Sequence, residues 1–206
     1  MHYTVLCKRT ILTLKTQPWQ LWVAQVTLAK SLLKLRDVLR MERPDLVLVH
    51  GDTTTCFTAT LAAFYEGIPV GHVEAGLRTG DLRAPFPEEA NRSLVGRLAS
   101  YHFAPSEGAR QNLLTDSVPE ERIWVTGNTV IDALLMVRDR VDKYPRERWI
   151  ECFGEDVYNR ITSPDRKLVL ITGHRRENFG QGFVDLCNAI HTLASSHPDW
   201  DLINPV

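Results

Sequence analysis

The chain has 206 residues, enough for one domain and part of another. Hydrophobic residues make up 44% and charged residues 24%, an ordinary composition for a water-soluble protein. The formal net charge of -1 supplies no electrostatic drive toward nucleic acid or an anionic membrane, although local basic clusters can still hold a phosphorylated small molecule.

Residues 1–22 show no clear pattern. The opening MHYTVLCKRTILTLK places basic residues near an apolar stretch, but Lys8, Arg9 and Lys15 interrupt it and no cleavage site follows, so a signal peptide is rejected. No apolar run is long enough to span a bilayer. Cys7, Cys56, Cys152 and Cys187 are scattered without a C-x-x-C pair, which argues against a zinc site or a disulfide framework and fits a reducing cytoplasm.

A helix is predicted over 23–41, with apolar residues at Val26, Leu28, Leu32, Leu33, Leu35 and Leu39, and Arg43-Pro44 stops it. DLVLV at 45–49 reads as a strand, 53–66 as an alanine-containing helix, and 68–73 as a second strand. This is a β-α-β unit. Its strands end at His50-Gly51-Asp52 and at Glu74, so two carboxylates fall at the edge where ligands bind in open parallel sheets.

Residues 80–87 form a turn-rich loop, and 88–98 a helix entered through Pro87. A short strand at 101–104 precedes a helix at 106–114 with Ser106 as N-cap. Another strand, 123–125, leads through Thr126-Gly127-Asn128 into a helix from about 130. The charged stretch 139–165, with Pro145 and Pro164, reads as a helical connection. Then come a strand at 167–171, a polar loop at 172–182, a helix at 183–194 and a strand at 200–203.

Alternating strands and helices predict an α/β fold, a Rossmann-like doubly wound parallel sheet. The division expected is a first domain with its helical connection over 1–165 and the start of a second over 166–206. Some 40 residues rarely make a stable core unaided, so that second part reads as incomplete.

Several loops could carry chemistry. Gly51-Asp52-Thr53-Thr54-Thr55 opens a helix, where free N–H groups favour an anion; Asp52 or Thr53 serves equally well as a plain helix cap. In Glu74-Ala75-Gly76-Leu77-Arg78, small residues allow close backbone approach, and Arg78 either fixes a phosphate or forms a structural pair with Glu74. Pro87-Glu88-Glu89 puts acids in a first helical turn, where the dipole favours them whatever their function. His174, Arg175 and Arg176 follow a strand, which suits a diphosphate site. His50 and His72 are expected to pack behind the loops, and His2, His102, His191 and His197 to be structural or exposed. The absence of G-x-G-x-x-G, G-x-x-x-x-G-K-[ST] and G-x-S-x-G weakens dinucleotide, P-loop and α/β-hydrolase readings.

Five segments in order, VLVHGDTTT at 47–55, PVGHVEAGLRTGD at 69–81, PFPEEANR at 85–92, VTGNTVIDALL at 125–135 and TGHRRENFG at 172–180, resemble the non-hydrolysing bacterial UDP-N-acetylglucosamine 2-epimerases. The resemblance runs from about residue 43 to the end. It implies two Rossmann-like domains in a glycosyltransferase-B-like arrangement, with the UDP-sugar between them. It implies interconversion of UDP-GlcNAc and UDP-ManNAc for bacterial surface polysaccharides, by loss and re-addition of UDP through 2-acetamidoglucal, with no metal or redox cofactor. The family's acids match Asp52, Glu74 and Glu88, and its histidine matches His174; the choice of Glu88 over Glu89 comes from the resemblance alone. Thr53, Arg78, Arg175 and Arg176 are the expected substrate-binding residues. A cytoplasmic homodimer, with substrate also acting as an allosteric ligand in some members, is implied as well.

The chain departs from the family pattern at its start, where a first strand and a G-T-R-P-E type loop are not found; Gln17-Pro18-Trp19-Gln20 is only faintly similar to the family's M-Q-P-G-Q. Most of the second domain, including its uridine-binding part, is also not found. The expectation is a chain truncated at both ends, unstable or inactive alone. The alternatives are a hydrolysing epimerase or glycosyltransferase on the same architecture, and a UDP-sugar-binding fragment without turnover.

Overall fold

The structure is a computed structural model that describes residues 4–7, 10–13, 19–172 and 180–204. It divides into two compact units, Met1–Thr129 and Val130–Val206.

The first unit begins with an antiparallel hairpin, β1 (Thr4–Cys7) and β2 (Thr10–Thr13). Helix α1 (Trp19–Glu42) starts four residues before the predicted 23 and ends where Arg43-Pro44 was expected to stop it. A four-stranded parallel sheet follows, with strands in chain order: β3 (Val47–His50), β4 (Val70–Val73), β5 (Tyr101–Ala104) and β6 (Ile123–Val125). Between them run α2 (Thr54–Tyr65), α3 (Glu88–Leu98) and α4 (Glu107–Thr115), and a short 3₁₀ turn, Glu120–Arg122, enters β6. The α/β, Rossmann-like class read from the alternation of elements is the class observed.

Strand β4 starts later than the predicted 68. The Ile68 N–H is donated to the carbonyl of Ala63 at 2.9 Å and so closes the end of α2 instead of joining the ladder. Pro69 has no N–H, but its carbonyl still accepts from Val47 at 3.0 Å. Helix α3 has the predicted bounds, with Pro87 at its N-cap.

Register places Val49, His72, His102 and Ile123 in one row across the sheet, all buried. The opposite face carries Leu48, Tyr101, Phe103 and Trp124, with the Phe103 and Trp124 rings 5.9 Å apart. Two clusters form the core. One joins Leu39 of α1, Val49, Cys56, Ala62 and Ala63 of α2, Val70, and Val95 with Ala99 of α3. The other sets Ala109 and Leu113 of α4 against Ala75, Ala104, Val118 and Ile123. The alanines bring helices close to the sheet, and Thr58 and Thr60, fully buried in α2, donate their hydroxyls to the carbonyls of Thr54 and Cys56.

The second unit comprises α5 (Thr129–Val141) beyond its first residue, α6 (Arg146–Phe153), α7 (Glu155–Ile161), and a β-α-β element of β7 (Lys167–Leu170), α8 (Gln181–Ser196) and β8 (Trp200–Ile203). Within this unit Asp201 of β8 receives Arg160 of α7 and Arg166. Hydrogen bonds from Arg166 and then Arg160 hold the Asp201 carboxyl down at about 2. Among the described residues no helix is long and apolar enough to cross a membrane.

Gly76 is the tightest position in the first unit. Its φ is +87°, and a Cβ there would lie 2.2 Å from the Ala109 carbonyl oxygen and 2.8 Å from Leu113 Cγ. Gly76→Ala therefore forces α4 away from the sheet in addition to the backbone strain, and is expected to cost about 3 kcal/mol or more. A urea unfolding curve checks this; a midpoint equal to wild type would show that α4 does not depend on this contact.

Candidate functional site

The site is built on the carboxyl ends of β3 and β4 and on the start of α3. After His50 the chain turns at Gly51, whose φ of +74° lies in the region that glycine adopts without strain. The Gly51 carbonyl accepts a hydrogen bond from His72 Nε2 at 2.8 Å and one from the Cys56 thiol at 3.2 Å. The turn is thus held from the neighbouring strand and from α2 at once.

Asp52 follows. Its backbone carbonyl accepts from Asn91 Nδ2 at 2.9 Å, and its Oδ2 lies 2.5 Å from a terminal nitrogen of Arg92. Thr53 caps α2, its hydroxyl accepting from the Cys56 N–H at 3.2 Å. The cap is one of the two alternatives open from sequence, and this contact leaves the hydroxyl proton of Thr53 for another partner.

Glu74 ends β4 with a φ of +67°, uncommon for a residue other than glycine. Its Oε2 lies 3.8 Å from His50 Nε2 and 3.4 Å from the place a Cβ on Gly51 would take. A side chain at Gly51 would therefore crowd the Glu74 carboxylate. His50, expected to pack behind the loops, is instead more than half exposed, with Nε2 3.3 Å from the Thr129 hydroxyl. A strand-end residue one step beyond the buried row points away from the core.

Adjacent glutamates behave in opposite ways at the start of α3. Glu88 is partly exposed, and no ion pair among the described residues reaches it. Glu89 is 1% exposed. Its Oε1 accepts from the backbone N–H groups of Thr79 at 3.1 Å and Gly80 at 3.3 Å, and its Oε2 stands 3.3 Å from Arg92, within ion-pair reach but without hydrogen-bond geometry. Glu89 therefore holds the loop 79–87, and Glu88 is the more exposed of the two acids.

Arg78, for which a pair with Glu74 was the structural alternative, pairs with Asp116 instead. Its Nε and a terminal nitrogen meet Asp116 Oδ2 at 3.0 and 2.8 Å, and its other terminal nitrogen donates to the Leu77 carbonyl at 2.7 Å. Asn112 donates to the Gly76 carbonyl at 2.9 Å, so α4 fixes the Glu74–Arg78 loop by two side chains. His174, Arg175 and Arg176 lie outside the described residues.

The buried groups around the turn are neutral. Burial, above all, lowers His72 to about 4, and the same cause takes His102 to about 4. Burial and the charge of Asp52 raise the Cys56 thiol to about 11, which keeps it protonated and unreactive. Among the described residues no group of three or more His, Cys, Asp or Glu side chains could hold a metal ion. Asn91, Arg92, Asn112 and Asp116 were not singled out in the sequence, and Glu89 was passed over for Glu88; the spacing of Glu89 and Arg92, three apart on one helix, is the one signal that could have drawn attention to that pair.

A Rossmann-like α/β unit with carboxylates gathered at its strand ends is the class of protein defined by this geometry. The family model described as UDP-N-acetylglucosamine 2-epimerase matches residues 19–206. The UDP-N-acetylglucosamine 2-epimerase of Escherichia coli K12 is 55% identical over 173 residues, which cover 84% of this chain and 45% of the relative. The crystal structure of UDP-GlcNAc 2-epimerase from Neisseria meningitidis bound to UDP-GlcNAc is similar with a TM-score of 0.82 and 45% identity, covering 88% of this chain and 48% of that one. A co-structure of S. aureus MnaA with UDP is similar with a TM-score of 0.72 and 41% identity, covering 88% and 46%. The chain belongs to the UDP-N-acetylglucosamine 2-epimerase family, as the motifs suggested. It spans about half the length of the curated relatives it matches.

The neutral histidines make stability depend on pH. In the unfolded chain each binds a proton near its ordinary value of 6.5, whereas in the folded protein each does so only near 4. Unfolding therefore takes up protons, and stability is complete above about pH 6.5 and declines as pH falls toward 4. The melting temperature is expected to drop between about pH 6.5 and 5, before most carboxylates titrate. A His72→Gln/His102→Gln variant should show a flatter slope over that window, and an equal slope would place the proton uptake elsewhere.

Proposed function

We propose that this chain carries acid/base residues of a UDP-GlcNAc 2-epimerase, which interconverts UDP-GlcNAc and UDP-ManNAc. The observation that carries the reading is the placement of Asp52 and Glu74 on adjacent strand ends beside the free Glu88, inside a chain of this family. The bound UDP-GlcNAc and UDP of the similar structures support the substrate class.

The C2 proton of the sugar has no adjacent carbonyl to acidify it. Departure of UDP from C1 develops positive charge there and makes C2 easier to deprotonate. One carboxylate takes the C2 proton as the C1–O bond breaks, giving 2-acetamidoglucal and UDP. A second group then delivers a proton to the other face of C2 while the UDP oxygen rebonds to C1. Inversion needs groups on both faces, and Asp52, Glu74 and Glu88 are the carboxylates available. By the family resemblance, His174 with Arg175 and Arg176 meets the departing diphosphate, and Thr53 contributes its hydroxyl to substrate. Arg78 is by the same resemblance a substrate-binding candidate, its guanidinium steadied by Asp116.

The same reading places the protein in the cytoplasm, where nucleotide sugars are made, as a homodimer feeding surface-polysaccharide synthesis, with UDP-GlcNAc also a candidate allosteric ligand. The first domain with its helical connection is taken to run to 165, and the start of the second from 166.

Incubation of the purified chain with UDP-GlcNAc in deuterated water, followed by NMR at C2, tests the function. Loss of the C2 proton signal with appearance of UDP-ManNAc would establish the activity in this chain and overturn the expectation that it is inactive alone. Free ManNAc with UDP would indicate a hydrolysing enzyme, and binding without exchange a UDP-sugar-binding protein. In a complete enzyme of this family, Asp52→Asn and Glu88→Gln should each lower turnover by about 10²–10⁴-fold while UDP binding changes little. Wild-type turnover in either variant would remove that residue from the mechanism.

A further inference from the structure

Resting on the reading of Asp52 as a group that moves the C2 proton, we propose that Arg92 is its positioning residue, dividing one guanidinium between Asp52 and the buried Glu89. Arg92 is itself 12% exposed by side chain. One terminal nitrogen lies 2.5 Å from Asp52 Oδ2 and the other 3.3 Å from Glu89 Oε2. The residue before it, Asn91, donates to the Asp52 backbone carbonyl. Two consecutive residues of α3 thus hold Asp52, one by its main chain and one by its carboxylate.

This arrangement fixes the direction of the acid. With Oδ2 taken by Arg92, no hydrogen bond from the described residues reaches Oδ1, which is the oxygen left for a substrate proton. A planar guanidinium suits the task because its two terminal nitrogens reach two carboxylates from one plane, where an ammonium acts as a single point. Glu89 keeps the guanidinium from swinging after Asp52, because its Oε1 is anchored by the Thr79 and Gly80 N–H groups, which leaves Oε2 toward Arg92. Arg92 does not itself touch the reacting atoms in this scheme. It acts by removing rotamers of Asp52 in which the carboxylate is misdirected, and a displacement of about 1 Å at a reacting group can cost on the order of 100-fold in rate.

Loss of Arg92 alone strands Glu89 as a buried charge, which endangers folding. The informative variant is Arg92→Met with Glu89→Gln: it removes both charges and keeps an amide oxygen to accept from Thr79 and Gly80. Arg92→Lys is the conservative comparison. In aspartate-labelled protein the Asp52 carboxyl carbon is assigned through Asp52→Asn, and its resonance is compared between wild type and the double variant, both checked for a cooperative melt. Deuterium exchange at C2 is measured on the same samples. The expected result is a displaced Asp52 resonance, kcat lower by about 100-fold and KM within about twofold of wild type, with Arg92→Lys recovering part of the rate. An unchanged resonance, or an unchanged kcat, overturns the proposal. If wild type itself shows no exchange, the proton-transfer reading of this chain fails, and the resonance alone decides whether Arg92 orients Asp52.

Discussion

A carboxylate with almost no contact with water, that of Glu89, organises the edge on which the chemistry is placed. An ionised group in that position survives only with donors and a counter-charge close by. The donors are the backbone N–H groups of Thr79 and Gly80, and the counter-charge is Arg92. Each partner belongs to a different segment. The loop after β4, the first turn of α3 and, through Arg92, the turn after β3 are therefore tied at one point. A neutral side chain at 89 could fill the same volume, but it would not draw Arg92 inward toward the strand ends.

Around that point the strand ends are held by polar contacts that keep their charges out of the core. The Gly51 carbonyl is met by a neutral imidazole and a protonated thiol, both kept in those forms by burial. Helix α4 secures the second loop through Asn112 and Asp116, with Gly76 allowing a backbone approach that a Cβ would block. The consequence is that the turns carrying Asp52 and Glu74 are tied to neighbouring strands and helices, and that the Asp52 carboxylate is held by Arg92.

Much of this was legible in the residues. The strands at 101–104, 123–125 and 200–203 and the helix at 88–98 lie where alternation, proline and capping placed them. Ser106 caps α4 because its hydroxyl competes well for the Ala109 N–H, a local preference that needs no tertiary knowledge. Tertiary choices were another matter. Arg78 and Asp116 are 38 residues apart, and nothing local marks them as partners. Glu88 and Glu89 are equivalent in a sequence, yet one step along an α-helix turns the side chain by about 100°. That rotation sends Glu89 under the loop and leaves Glu88 toward solvent, a distinction that only the docking of α3 on the sheet can make. Asp201 likewise gathers arginines from 35 and 41 residues earlier, partners that no local pattern marks.

The origin of the three acids bears on the proposed inversion. Asp52 and Glu74 leave the ends of neighbouring parallel strands, which lie about 4.8 Å apart, so they enter a ligand's space from the same edge. Glu88 comes from the first turn of α3, an element that approaches independently of the strand ends. A reaction that removes a proton from one face of a carbon and returns it to the other requires groups on opposite faces. In the proposed mechanism Glu88, arriving from a different element, is a candidate partner for either strand-end acid. The ion pair of Arg92 with Asp52 then matters for more than stability: it lies on α3, the same helix that carries Glu88, four residues further along. One helix would thereby fix the position of one acid and the orientation of the other, so that the spacing between the two faces of the sugar is set by the docking of α3 alone.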